Sequence, residues 1–380
     1  MERLVRGTND GIMKGKDRNR FSQFECTKKK RTIPFGLGED TAQVLRDILD
    51  ADGSLMESVA GLMSQAKATG TMENYERTTA KFKEFCEQKG YEYPKFGEKA
   101  VLHYVIQMDK DKASFAVLCQ IKPALMLVEQ LAGATSTAFT EMVNVFLTAA
   151  KRRAAMSKPI VRKAGTLPDD VLQLLHGKYL VETSSVDKSV DPVMLRTFVR
   201  AVIVYFTFCR FSCYSKLRAM DLEDNGTSIT VTFPFAKNDQ FHNGQASCIV
   251  NNDSSVNPVE LVRLYYKLCD FKFGKEKGDT SLLNCVIRRK KNTWVADGTK
   301  AISYATGTKN LRDMLAGIGI QSASLTDKSF KMLGVTRTLE KGTALEDVMH
   351  QGRWRTVTMP LHYKVNSLYY KESVAGNVPV

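Results

Sequence analysis

Hydrophobic residues recur at helical spacing through residues 71–154. Thr71 is a helix-capping residue type, Gly90 ends the first pattern, and one face between them carries Tyr75, Thr79, Phe82, Phe85 and Cys86. The pattern predicts further helices over residues 97–108, 113–132 and 137–154. Because no apolar–polar alternation typical of strands interrupts these segments, we predict that 71–154 is a helical bundle with its own core.

The pattern changes after Pro168, where short β segments appear among the helices. Residues 227–235 are rich in β-branched and aromatic residues, and residues 246–251 form a second short strand after the turn sequence His242-Asn243-Gly244. Helical periodicity predicts the remaining elements at about 168–180, 192–208, 257–268, 305–317, 328–341, 344–350 and 357–372. The predicted fold class is therefore mainly α in two domains, the second having a small antiparallel β-sheet.

Basic stretches lie before and between the predicted domains. Residues 1–36 form a basic tail predicted to be disordered, in which Lys28–Arg31 is interpreted as a nuclear-import signal, a DNA-contacting arm or a solvated cluster. Residues 37–70 have helical periodicity and form a segment that docks or mediates assembly. The linker at 155–167 and the helix end before it are basic and lack acids. Such a stretch is either a solvated connector or a contact with a phosphate backbone, and the concentrated charge favours the contact. The predicted contact residues are Lys151, Arg152, Arg153, Lys158, Arg162 and Lys163.

The composition indicates a polyanionic partner. Among 380 residues, 55 Lys and Arg against 41 Asp and Glu give a formal charge of +14, which favours nucleic acid over a membrane surface. The longest uncharged apolar run, Ala201–Cys209, is far shorter than the roughly 20 residues that span a bilayer. No leader-like segment opens the chain, so secretion is not expected. The eight cysteines lack CxxC or ligand-like His spacing, which predicts reduced thiols and no metal site.

Common catalytic motifs are missing, but three short segments carry candidate chemistry. No GxSxG, Walker or HExxH motif occurs in the sequence. Arg210 follows an apolar helix, Lys237 follows the first predicted strand, and Gly352-Arg353-Trp354-Arg355 precedes Tyr363. Taken singly, each has an ordinary explanation, such as a helix-end arginine, a solvated turn lysine or a core tryptophan.

In this order, the three segments resemble those of the tyrosine recombinases, the phage-integrase family. The resemblance is strongest to recombinases of eukaryotic mobile elements of the DIRS, Ngaro and Crypton kinds, and it extends from residue 71 to about residue 370. It implies a core-binding, SAM-like domain at 71–154 and a catalytic domain at 168–380. It also implies double-stranded DNA as the partner, self-association as a tetramer on two DNA sites, and a location in the nucleus.

Four catalytic positions of the family match residues of this sequence. The resemblance implies that Arg210 is the first catalytic arginine and Lys237 the general acid. It likewise implies that Trp354 occupies the family's His/Trp position and that Tyr363 is the nucleophile. Without the resemblance, the simpler interpretation of Tyr363 is an ordinary helix tyrosine near Tyr369 and Tyr370.

The same register exposes departures from the family pattern. Lys328 and Lys331 stand where the family has its His-x-x-Arg box, and Cys213 replaces an acidic residue. Lysine keeps the positive charge of arginine but cannot form its bidentate fork. Arg353 and Arg355, on either side of Trp354, are predicted to contact DNA.

The implied chemistry is the cutting and rejoining of DNA strands, as in recombination or integration. The Tyr363 oxygen attacks a phosphodiester and forms a 3′-phosphotyrosine, and Lys237 protonates the leaving 5′-oxygen. Cationic side chains and the Trp354 indole N–H stabilise the charge on the non-bridging oxygens. The covalent bond stores the energy for rejoining, so no metal or other cofactor is required.

Three hypotheses remain open from the sequence. The first is an active site-specific recombinase or integrase of transposable-element origin, in which Lys328 and Lys331 form a variant cationic clamp. The second is a catalytically degenerate, recombinase-derived DNA-binding protein, which the changed box and Cys213 favour. The third is a basic helical scaffold without a DNA role.

Overall fold

The structure is a computed structural model that describes residues 5–6, 69–131, 138–157, 165–181, 190–234, 245–251, 255–291, 293–366 and 368–376. The chain forms two compact units. We call Lys14–Val161 the N-terminal unit, and Met1–Met13 with Arg162–Val380 the C-terminal unit. Several predictions lie outside the described residues: those for 7–68, Lys158, Arg162, Lys163 and Lys237.

Helices make up the described part of the N-terminal unit. They are α1 (Thr69–Lys89), α2 (Glu98–Lys110), α3 (Phe115–Leu131) and α4 (Glu141–Met156). Their core contains an aromatic cluster, in which the Phe82 ring meets Phe96 and Tyr104 edge-on at centroid distances of 4.8 and 5.0 Å. The helices follow the predicted ranges, but α1 begins earlier than predicted. Thr71 therefore lies inside the first turn and is not the cap.

The C-terminal unit is also mainly helical. Its helices are α5 (Val171–His176), α6 (Pro192–Thr207), α7 (Phe211–Tyr214), α8 (Pro258–Cys269), α9 (Tyr304–Ala316), α10 (Asp327–Glu340), α11 (Leu345–Gly352), α12 (Thr358–Asn366) and α13 (Leu368–Gly376). The helix predicted at 168–180 is α5 followed by a π-helical turn, and the one predicted at 357–372 is divided into α12 and α13. No described helix is long and apolar enough to cross a membrane.

Two small sheets lie in the described part of the C-terminal unit. The strands β2 (Leu222–Asp224), β3 (Ser228–Phe233) and β4 (Gln245–Val250) form an antiparallel sheet that contains the predicted hairpin. In the other sheet, β6 (Thr293–Ala301) pairs with β1 (Val5–Arg6) in parallel and with β5 (Cys285–Lys290) antiparallel. The predicted fold class is confirmed, with one sheet more than expected. A run of four cations and a bulge at the start of β5 obscure the alternation that would have predicted it.

The central helix of the C-terminal unit, α6, is buried along most of its length. It begins where Asp191 accepts a hydrogen bond from the Val193 N–H at 2.8 Å, and Pro192 occupies the first turn, where no intrahelical donor is needed. It ends at Phe208, whose left-handed backbone (φ 52°) turns the chain. The next residues therefore leave the helix axis, and Arg210 precedes α7.

A buried ion pair fixes α10 against α6. The Arg200 Nε lies 2.8 Å from the Asp327 carboxylate, and both side chains are almost fully buried. Arg200 also donates to the Gly307 carbonyl of α9 at 2.6 Å, so one guanidinium joins three helices. Burial raises the pKa of Asp327, and the Arg200 charge opposes that shift.

The face of α10 that meets α6 is set by two positions near its start and middle. Asp327 makes the ion pair, and Gly334 allows close approach, because a Cβ there would lie 2.2 Å from the Tyr205 carbonyl oxygen. Lys331 lies four residues after Asp327 and three before Gly334, so helical geometry places all three on one face. The contact between these helices therefore forces a lysine into the interior.

We expect the buried ion pair to carry much of this unit's stability. Asp327→Asn leaves the Arg200 charge without its partner and should lower the free energy of unfolding by about 3–5 kcal/mol, measured by chemical denaturation. The control is Asp313→Asn, which removes an exposed pair with Lys309 (2.9 Å) on α9. It should cost no more than about 0.5 kcal/mol. Equal losses in the two variants would contradict the anchoring role.

Candidate active site

Four predicted site residues converge in the C-terminal unit. Lys331 Nζ lies 4.8 Å from the centroid of the Trp354 ring, and that ring lies 6.2 Å from the ring of Tyr363. The positive charge of Arg210 acts on both ends of this group, because it lowers the pKa of Lys331 and also that of Tyr363. The residues Arg210 before α7, Lys331 on α10, Trp354 after α11 and Tyr363 on α12 thus form one cluster of side chains, which we call the cationic pocket.

Lys331 is a buried cation without an anionic partner among the described residues. Its side chain is 4% exposed, and no described carboxylate forms an ion pair with it. Burial, followed by the nearby Arg210 charge, lowers the pKa of Lys331 from 10.5 to about 7. At neutral pH the ammonium is therefore easily lost, and a bound anion would restore it.

Trp354 contributes a buried hydrogen-bond donor to the pocket. Its ring stacks on Phe208 with a centroid distance of 6.0 Å and is 7% exposed. The indole N–H has no acceptor among the described residues. A buried donor without a partner lowers the free energy of unfolding by about 1–3 kcal/mol. Beside two cations, this N–H is placed to donate to an anionic oxygen.

The Tyr363 side chain is buried in an apolar cluster that includes Val335, Val348 and Trp354. Burial raises the pKa of Tyr363, and the Arg210 charge opposes this rise. The phenol is therefore held in its protonated form. Its proton must leave as the oxygen attacks any electrophile, and the neighbouring guanidinium is the group that favours the ionised state.

The two lysines of the changed box differ in environment. Lys331 is buried against Trp354, whereas Lys328, one turn earlier on α10, is exposed. The structure thus places one of the two in the cationic pocket, and a phosphate contact by Lys328 stays a prediction. Cys213, which the resemblance aligns with an acidic residue, is a buried free thiol, so residue 213 supplies no carboxylate to orient Arg210.

Arg353 has an internal role, and its contact with DNA stays a prediction. It ends α11 in the left-handed region (φ 55°), a conformation costly for residues other than glycine. The guanidinium lies 3.8 Å from the centroid of the Phe233 ring and donates to the Thr207 carbonyl at 3.1 Å and to the Ser247 hydroxyl. With 7% exposure, this charge is committed to the protein interior.

A second residue of the same segment, Gln351, bonds to the same elements. Its amide donates to the carbonyls of Phe206 (2.8 Å) and Cys248 (2.6 Å) and accepts from the Cys248 N–H at 3.3 Å. Ser247 donates to the Gln351 carbonyl at 2.7 Å. We call the group formed by Gln351, Arg353 and Ser247 the clasp. It joins α11 to β4 and to the end of α6, and it thereby sets Trp354 and Arg210 relative to each other.

Sequence reasoning missed the clasp because Ser247 and Gln351 belong to no motif and Arg353 was assigned to DNA contact. The local indication of its structural role is the left-handed backbone of Arg353, directly after Gly352, and the sequence does not reveal that conformation. Of the other predicted DNA contacts, Lys151 is half-buried, Arg355 is exposed, and Arg152 and Arg153 are exposed near the end of α4. In the described residues, no group of three or more His, Cys, Asp or Glu is placed to hold a metal ion.

The comparisons with known proteins identify the fold. No protein-family model and no curated protein matches the sequence. The chain is similar to the XerH site-specific recombinase bound to palindromic difH substrate in a post-cleavage complex, with a TM-score of 0.52, 14% identity and 90% of each chain covered. It is also similar to the Tn1549 transposon integrase in complex with transposon right end DNA, with a TM-score of 0.51, 11% identity, and 89% of this chain and 98% of that chain covered. At these identities the similarity shows the fold alone, which this chain shares with that site-specific recombinase and that transposon integrase.

We expect removal of the Lys331 charge to stabilise the protein in the absence of an anion. In the folded state its pKa is about 7, against 10.5 for an ordinary lysine. Between these values the unfolded chain binds more protons, so stability rises with pH there. Lys331→Met should therefore raise the free energy of unfolding by about 1–4 kcal/mol at pH 6, and the gain should shrink towards pH 10.

Lys328→Met is the matched control, because it is the same substitution at an exposed position of the same helix. It should change the free energy of unfolding by less than about 0.5 kcal/mol. Both variants are compared by urea denaturation at the two pH values. A loss of stability in Lys331→Met that does not depend on pH would show that the ammonium is not held at a cost.

The clasp predicts a destabilising effect at an unremarkable polar position. Gln351→Leu leaves the partners on α6 and β4 without their hydrogen bonds and should lower the free energy of unfolding by about 1–3 kcal/mol. His350→Ala, at the exposed neighbouring position of α11, should change it by less than about 0.5 kcal/mol. The same denaturation assay checks both, and a neutral Gln351→Leu would exclude the clasp as a structural link.

Proposed function

We propose that this protein is a site-specific tyrosine recombinase or integrase that cuts and rejoins duplex DNA through a 3′-phosphotyrosine intermediate. The observation that carries the proposal is the cationic pocket. Two cations and an unpartnered indole N–H meet beside a tyrosine. These donors fit the non-bridging oxygens of a phosphodiester, and the fold is one in which such chemistry is known.

In the proposed reaction, the Tyr363 oxygen attacks phosphorus and a new O–P bond forms. The bond from phosphorus to the 5′-oxygen breaks, and the tyrosine proton passes to water in the same step. Lys237 remains the predicted donor of the proton that the 5′-oxygen gains. Arg210, Lys331 and the Trp354 N–H stabilise the charge that develops on the non-bridging oxygens. Religation is the reverse sequence with a 5′-hydroxyl as nucleophile.

Lys331 stands where the resemblance implies the arginine of the His-x-x-Arg box, and this change is expected to lower the rate. Lys331 supplies a point charge and not a planar fork, so one preorganised donor geometry is absent. Loss of one such donor typically costs on the order of 10²–10³ in rate. A bound phosphate would, however, raise the pKa of Lys331 and favour its protonated form, which is the form that can donate.

A second candidate function is that of a recombinase-derived DNA-binding protein without cleavage activity. The specific observations in its favour are the buried Tyr363, the exposed Lys328 and the thiol of Cys213 at the acidic position. Under either function we propose duplex DNA as the partner and the nucleus as the location. The origin in a DIRS- or Crypton-like mobile element and the assembly of four protomers on two sites belong to the first function.

The first function predicts covalent protein–DNA adducts that depend on one tyrosine. Purified protein is incubated with supercoiled plasmid and quenched in detergent, and plasmid relaxation and protein-linked DNA are both scored. Tyr363→Phe should reduce both by at least about 10³-fold, because the nucleophile is gone. Tyr304→Phe, a control at an exposed tyrosine of α9, should leave both unchanged.

The double variant Lys328→His/Lys331→Arg separates the two candidate functions. Adducts in the native protein that vanish in Tyr363→Phe indicate an active enzyme with a lysine-containing pocket. Adducts that form only in the double variant indicate a preserved scaffold whose chemistry has been lost. DNA binding without adducts in any variant contradicts the proposed reaction.

A further inference from the structure

The hairpin of β5 and β6 carries a run of cations that the cationic pocket does not use. Arg288, Arg289, Lys290 and Lys291 follow one another through the end of β5 and into the turn, and all four are exposed. None of them forms an ion pair with a described residue. Some other exposed lysines of this unit are paired with acids, Lys272 with Asp270 at 2.8 Å and Lys309 with Asp313 at 2.9 Å.

The base of this hairpin is rigidly held, so the exposed end is a fixed feature of the fold. The buried Arg196 donates to the Cys285 carbonyl at 2.6 Å, and the buried Tyr265 hydroxyl donates to the Leu283 carbonyl at 2.7 Å. The Leu283 N–H in turn donates to the Leu217 carbonyl at 2.9 Å. Four like charges are therefore held at the end of an anchored two-stranded arm.

The strand register divides the cations between two sides of the hairpin. Ile287 and Ala296 are paired and belong to the core, and Arg289 pairs with Trp294 on the same side. Arg288 and Lys290 lie on the opposite side. Residues two apart in a strand stand about 7 Å from each other, so these two charges form a short, regular row.

Protection of a sheet edge is the structural alternative. β5 is an edge strand, and charged side chains at an edge prevent pairing with other chains. That role needs charge of either sign. It does not account for four successive charges of one sign, nor for Lys291, which continues the run in the turn with φ 54°. One acid, Asp297 on β6, lies near Arg288, but it also pairs with Lys300 at 4.0 Å, so the end of the hairpin keeps an excess of cations that matches a polyanion.

We propose that this basic hairpin, residues Arg288–Lys291, is a second DNA-contact surface that binds the phosphate backbone of duplex DNA outside the cationic pocket. Arg288 and Lys290 make the contacts along the strand, and Lys291 extends them at the turn. The proposal rests on the proposed function for its partner, duplex DNA, but it uses neither Tyr363 nor any residue of the pocket. Contacts of this kind carry affinity and orientation, not sequence information.

The test uses charge reversal, because reversal keeps the edge charged while it repels phosphate. Arg288→Glu/Lys290→Glu in the full chain is compared with Lys275→Glu/Lys277→Glu. This control pair is exposed on the same unit and has the same spacing, but it flanks the acidic Glu276. Binding to a fluorescent 40-base-pair duplex is measured by anisotropy between about 50 and 300 mM salt, where phosphate contacts dominate affinity.

The hairpin variant should bind DNA at least about tenfold more weakly than the control variant at 100 mM salt. The slope of log affinity against log salt should fall by about 2, since two phosphate contacts are lost. Equal affinity and slope in both variants would overturn the proposal and leave edge protection as the role. Size-exclusion chromatography checks that the variant stays folded and unaggregated, and Arg288→Gln/Lys290→Gln should show the same direction with a smaller loss.

This result is separable from the fate of the proposed function. Normal hairpin-dependent binding without adducts at Tyr363 would refute catalysis and retain the basic hairpin. Adducts at Tyr363 with no effect of the hairpin variant would retain catalysis and refute the basic hairpin as a DNA contact. No binding of duplex DNA by the native protein would overturn both.

Discussion

The packing of one face of α10 against α6 is the constraint on which the candidate site depends. Asp327 fixes that face through its ion pair with Arg200, and Gly334 allows the two backbones to approach closely. Lys331 lies between them and is carried into the interior with no described carboxylate to receive it. The fold therefore holds a cation at a cost in free energy, and an anion that enters the pocket would remove that cost. This is the relation expected of a site built for a charged ligand or transition state rather than for stability.

The rest of the pocket is positioned by contacts outside it. The clasp links the end of α6, the strand β4 and the segment that carries Trp354, so the donors are fixed before any ligand arrives. Arg353 makes this link at the cost of a left-handed backbone conformation. The free thiols of Cys209 and Cys213 lie on either side of Arg210 in the sequence, and burial raises the pKa of Cys209 to about 11, so that thiol is neutral. Arg210 is thus left with its full charge directed at the pocket, where it lowers the pKa of both Lys331 and Tyr363.

Much of the fold follows from local sequence, and some of the site does not. The helices α1–α4 and the hairpin of β3 and β4 were predicted because periodicity and turn chemistry are local properties. The convergence of Arg210, Trp354 and Tyr363 was predicted from family register alone, since contacts between distant segments leave no local pattern. The hairpin of β5 and β6 was missed because its cations mask the alternation of a strand. The burial of Arg353, and the different environments of Lys328 and Lys331, depend on which helix face meets α6, which single residues do not reveal.

The central claim is that the cationic pocket binds a DNA phosphate and that Tyr363 becomes bonded to it. The most direct measurement is mass spectrometry of the native protein after incubation with duplex DNA, denaturation, and digestion with nuclease and protease. The account predicts a peptide that contains Tyr363 and carries a nucleotide attached through its 3′-phosphate. A nucleotide mapped to another residue, or an unmodified Tyr363 peptide from protein that demonstrably bound the DNA, would contradict it.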